Sequence, residues 1–136
     1  MYKRVIITIL ILILLSSFKL FSITPNTLNV SFSDDGFSVG IAEFSETIYF
    51  STDVLLPLSN KGNGYLNITV GHPIINTNFY LGGIIGLYSL EPNIENRIST
   101  KFNFGGEIGY CHKKDVITSI FITNNSCVGL KVGIMF

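Results

Sequence analysis

Tryptophan does not occur in this 136-residue chain, alanine stands only at Ala42, and charged residues make up 13% of the positions. Ordinary soluble domains carry about 25% charged residues, so a surface dressed in charge is excluded. The scarcity of alanine, beside 13 glycines and frequent asparagine, disfavours helices and favours strands and turns. Basic and acidic residues balance at 9 each. No basic excess points to nucleic acid, and no acidic one to a cationic partner. Only two cysteines occur, Cys111 and Cys127. That excludes a disulfide-dense scaffold, although one bridge is permitted. No segment beyond the N-terminal region carries a long unbroken apolar run.

Met1–Arg4 is a short basic head, Val5–Leu15 is an unbroken apolar and Thr-containing run, and Ser16–Ser22 is more polar. The apolar run is shorter than the ~20 residues that a membrane-spanning helix needs. Head, core and small-residue exit are those of a secretory signal peptide over residues 1–22. Cleavage is expected after Ser22, with Ser17 as the other candidate. No cysteine stands beside either site to take a lipid. The folded part is then one domain, residues 23–136.

That domain alternates. Leu28, Val30 and Phe32 share one face of a first segment, and Asp34-Asp35-Gly36 then signals a tight turn. Further alternating segments run Phe37–Ala42, Thr47–Leu56 and Tyr65–Gly71. Asn78–Leu90 is weakened by Gly82, Gly83 and Gly86, which imply a bend or a close backbone approach. Ser99–Tyr110 and Val116–Thr123 follow. Loops are expected at Pro57–Gly64 and Ser89–Ile98. With the last segment this makes eight strands and no helix.

The last segment is the most regular. Val128, Leu130, Val132, Ile134 and Phe136 occupy every even position, with Gly129, Lys131, Gly133 and Met135 between them. This resembles the closing strand of bacterial outer-membrane β-barrels, whose alternating apolar residues and final Phe form the signal read by the barrel-assembly machinery. The strand rhythm from Leu28 to Phe136 is similar to that of the small eight-stranded group, the OmpA transmembrane domain, OmpX and opacity-type barrels. The resemblance implies an all-β, closed up-and-down antiparallel transmembrane barrel in the outer membrane. The alternatives are a soluble exported binding domain, as a β-sandwich or open β-barrel, and a lipid A-modifying enzyme of the outer membrane. The second face favours the barrel: it carries mainly Gly, Ser, Asn and Thr, where a sandwich meeting water carries Lys, Glu and Arg. An eight-stranded barrel has an interior that side chains just fill. Four charges on that face, Asp53, Lys101, Glu107 and Lys131, are expected to share the interior and pair there, since confined charges must be compensated. On that basis Lys101→Leu is expected to weaken heat resistance.

Candidate chemistry is thin. Some outer-membrane barrels modify lipid A through a His-x-Ser-Asn motif, but His72 precedes Pro73 and His112 precedes Lys113. Ser126 is expected at the opposite end of the barrel from His112. Cys111-His112 with Asp115 lacks the ligand number of a zinc site. No catalytic, cofactor-binding or metal residue is assigned, and no cofactor. In a barrel Cys111 and Cys127 lie at opposite ends, too far apart for a disulfide. The expected role is structural or surface-interacting, without a general pore. Partners are outer-membrane lipid, the assembly machinery and an extracellular ligand held by the loops.

Overall fold

The computed structural model describes residues 24–34, 36–55, 64–89, 100–113, 115–125 and 128–136. They form eight strands: β1 (Thr27–Ser33), β2 (Gly36–Phe44), β3 (Tyr49–Leu55), β4 (Gly64–Pro73), β5 (Phe79–Ser89), β6 (Thr100–His112), β7 (Val116–Thr123) and β8 (Val128–Met135). Each pairs antiparallel with the next in the chain, and β8 returns to pair with β1. The sheet is therefore a closed up-and-down barrel, and the sandwich alternative is overturned. Closure follows from the alternation. The strands turn an apolar face outward and a face richer in small and polar residues inward, and a cylinder separates the two without leaving a free edge.

The hairpin turns use the chain's local chemistry. Gly36 opens β2 at φ +130°, a conformation that a side chain would strain. Asn76 (φ 62°) turns β4 into β5, and Lys113 (φ 43°) turns β6 into β7. The segment expected to end at Gly71 runs two residues further: β4 continues to Pro73, the last rung of its ladder with β5, where a missing N–H is tolerated. The glycine-rich β5 is not bent out of register. Its ladder with β6 is unbroken from Phe79–Tyr110 to Ser89–Thr100. The glycines there serve close approach. Gly82, for example, faces inward against the Thr69 side chain.

Register sets the width. From Lys131 on β8, the register partners run Ser31, Ser38, Leu55, Tyr65, Tyr88 and Lys101. Continuing the β6–β7 and β7–β8 registers returns to β8 eight residues from the start. Eight strands with a shear of eight give a strand tilt of about 36° and an interior that side chains pack rather than a pore. Two apolar clusters occupy it. Leu55, Tyr65, Ile84, Tyr88 and Phe121 lie toward the loop end. Ala42, Tyr49, Tyr80 and Ile117 lie toward the turn end, with Phe44, Cys111 and Met135 packed against them.

The outward face is apolar, with Leu28, Phe32, Leu81, Ile85, Phe102, Ile120, Leu130 and Ile134 among its exposed side chains. On β3 both faces are buried, including the outward Phe50, Thr52 and Val54. The chain end is held on two sides: Met135 N–H donates to Asp115 O and Phe136 N–H to Asn26 O, both at 2.9 Å.

Candidate functional site

Between the two apolar clusters lies a charged layer. Lys131 projects inward from β8 because alternation puts the odd residues of that strand on the small, buried face. Its Nζ donates to Asp53 Oδ2 at 2.7 Å and to Glu107 Oε2 at 2.8 Å. Asp53 comes from β3 and Glu107 from β6, each two or three strands away from β8 round the wall. One ammonium thus ties three separated strands across the lumen. All three side chains are at most 5% exposed.

The rest of the layer completes their hydrogen bonds. Tyr80 Oη and Ser119 Oγ donate to Glu107 Oε1 at 2.5 and 2.7 Å. Thr69 Oγ1 donates to Glu107 Oε2 at 3.5 Å. Ser51 Oγ donates to Asp53 Oδ2 at 2.8 Å. Among the described residues, Asp53 Oδ1 is buried without a hydrogen-bond partner. Nζ also stands 5.8 Å from the Phe121 ring centroid and 6.0 Å from that of Tyr49, one from each apolar cluster. A buried ion pair adds little net stability by itself, but a carboxylate left in such a site without its cation is costly. The layer therefore acts chemically as a cross-brace: it makes the closed cylinder the state in which these charges are compensated.

Lys101 is not a member. It faces inward but is exposed near the loop end of β6, and it makes no ion pair with a described residue. The reason is strand length: six residues separate it from Glu107, about 20 Å at 3.3–3.4 Å per residue. The loss expected of Lys101→Leu is thereby withdrawn. Its unfolding transition should match the unsubstituted chain, and a clear loss of heat resistance would contradict this geometry.

Four layer members, Tyr80, Ser51, Ser119 and Thr69, are neutral donors that charge does not mark in the sequence. Their inward position was legible from alternation alone. Above the layer a second polar chain runs across the wall, with Asn125 Nδ2 donating to Asn103 Oδ1 at 2.9 Å and Asn103 Nδ2 to Asn67 Oδ1 at 2.7 Å.

The other sequence candidates lie elsewhere. His72 and His112 are exposed on the outer face. His72 Nδ1 contacts Pro73 O at 2.6 Å, and His112 Nε2 contacts Thr118 Oγ1 at 2.8 Å. Among the described residues neither meets a serine. Among the described residues no group of three His, Cys, Asp or Glu side chains is placed to hold a metal. Cys111 is a free thiol packed at the turn end. Cys127 and Ser126, the Pro57–Asn63 and Leu90–Ile98 portions of the expected loops, and the 1–22 leader lie outside the described residues. Val128, Leu130, Val132, Ile134 and Phe136 all face outward and exposed, with Phe136 at 82%. In comparison with known proteins, the chain matches no family model, no curated protein and no solved structure.

Proposed function

We propose that this chain is a small integral protein of the bacterial outer membrane, with a structural or surface-interaction role and a lumen too full to serve as a general pore. One observation carries the reading: the closed barrel is inside-out. Its interior sets a buried layer of Asp, Glu and Lys, with Asn, Ser and Thr, between two apolar clusters, and its exterior exposes Leu, Ile, Val and Phe. In water such an exterior would be an apolar patch far beyond the few hundred Å² that monomers tolerate. In lipid it needs no partner, and closure pairs the backbone groups that hydrocarbon cannot.

Aromatic pairs support the same reading. Phe32–Phe37 and Phe102–Phe104 lie toward the loop end, and Phe79–Tyr110 and Tyr110–His112 toward the turn end. Outer-membrane barrels carry such girdles at both interfaces, about 25 Å apart. Phe102 and Tyr110, eight residues apart on β6, span about 21 Å along the axis at this tilt.

Within this reading the stripe Val128, Leu130, Val132, Ile134 and Phe136 is the surface offered to the barrel-assembly machinery. The loops after β3 and β5 are the surface offered to extracellular ligands. The role proposed is structural rather than catalytic. The test is a gel of membrane fractions in detergent, boiled against unboiled. A band in the outer-membrane fraction whose migration changes with heating is expected. Recovery from the periplasm or medium with no heat shift would overturn the reading.

A further inference from the structure

The wall of this barrel is not equally tall all round. Among the described residues five consecutive ladders, β7–β8, β8–β1, β1–β2, β2–β3 and β3–β4, carry seven rungs each. On the opposite side β4–β5 carries ten and β5–β6 eleven. At 3.3–3.4 Å per residue and a tilt of about 36°, seven rungs rise about 19 Å along the axis and eleven about 29 Å. Followed round the tilted sheet, the first rungs at the turn end (Thr27–Met135, Val116–Ile134 and Phe79–Tyr110) stand at about one height. The difference of about 10 Å therefore falls at the loop end.

The hydrocarbon of a bilayer is about 30 Å thick. The tall wall matches it and the low wall does not. Polar residues cap the low rim: Asp34, whose Oδ1 accepts from Val128 N–H at 3.1 Å, and Asn124, whose Oδ1 accepts from Phe104 N–H at 2.9 Å. A flat bilayer would bury them in acyl chains, at a cost that local thinning relieves. Just below this rim, on the outward face, lies a shallow apolar groove of about 340 Å³ lined by Phe32, Ser33, Ile120, Val128, Gly129 and Leu130.

We propose that the β7–β8–β1–β2 face is a lipid-binding surface: it thins the leaflet at the loop end, and its groove seats an acyl chain of a lipid drawn down to the low rim. This rests on the membrane reading above. The occupant follows from two observations that meet at one place, a wall too short for the bilayer and an apolar seat beneath its polar edge.

The absence of tryptophan makes the test direct. Phe32 on β1, Ile122 on β7 and Ile85 on β5 point outward, all exposed, at about one height by register. Single variants Phe32→Trp, Ile122→Trp and Ile85→Trp would be purified from cells expressing the full chain. Each would be reconstituted into phosphatidylcholine vesicles containing lipid brominated either near the headgroup or near the chain end. Tryptophan at Phe32 or Ile122 is expected to be quenched at least twofold more by the shallow bromine than by the deep one, and at Ile85 the reverse. One shared depth profile at all three positions would overturn this proposal alone. No quenching at any position would overturn the membrane reading and the proposal with it.

Discussion

Lys131→Met is expected to open the barrel. Methionine keeps the unbranched stem and removes the ammonium, which leaves Asp53 and Glu107 facing each other in a layer that is at most 5% exposed. Breaking a buried pair by removing one partner costs about 3–5 kcal/mol, a large share of the stability of any small domain. Urea unfolding in detergent micelles, followed by the gel shift, should register that loss as a midpoint at much lower denaturant. The triple variant Lys131→Met, Asp53→Asn, Glu107→Gln separates charge from packing. It should recover much of the loss, since no uncompensated charge remains and the amides retain donors and acceptors for Tyr80, Ser119 and Ser51. An unchanged single variant would show that the layer does not brace the barrel. A triple variant as damaged as the single would assign the loss to packing.

The second large effect is steric, and it pairs two glycines of opposite orientation. Gly109 faces inward, and a Cβ there would meet the ring of Tyr80. Gly83 faces outward, with nothing near that position. Gly109→Val is expected to destabilise by at least the ~1–3 kcal/mol of an overpacked core. It should also displace Tyr80 Oη from Glu107 and so weaken the charged layer. Gly83→Val should be neutral, or slightly stabilising, because β-branched residues suit a strand. The readout is again the unfolding midpoint of the folded band. Equal midpoints for the two variants would contradict the packing described. The same arrangement recurs at Gly129, which faces the ring of Phe121 across the β7–β8 ladder. A narrow barrel fits its large inward side chains by setting a glycine opposite each of these two.

The fold class was legible because its cause is local. Period-2 alternation over Leu28–Phe32, Leu66–Val70, Phe102–Tyr110 and Val128–Phe136 dictates which side chains point out, and the observed strands keep those faces. β5 was the weakest strand by composition and is among the longest, because its glycines are answered by neighbours on β4 and β6. Glycine's low strand propensity is a statement about an isolated segment, and packing overrode it.

The charged layer was only half legible. Alternation placed Asp53, Lys101, Glu107 and Lys131 on the inward face, and that is as far as a one-dimensional pattern reaches. Which of them meet depends on height along the axis. Height depends on the register of each ladder and on the shear that accumulates round the cylinder. Lys131 and Lys101 share a row of register partners, yet the tilt carries that row up the wall. Lys131 therefore meets Glu107, and Lys101 stands near the loop end. The sequence by itself determined the inside and the outside of this protein, because the direction of a side chain in a strand is set by parity. Only the tertiary structure decided what meets within the lumen and how tall each wall stands, because register and closure are properties of all eight strands together.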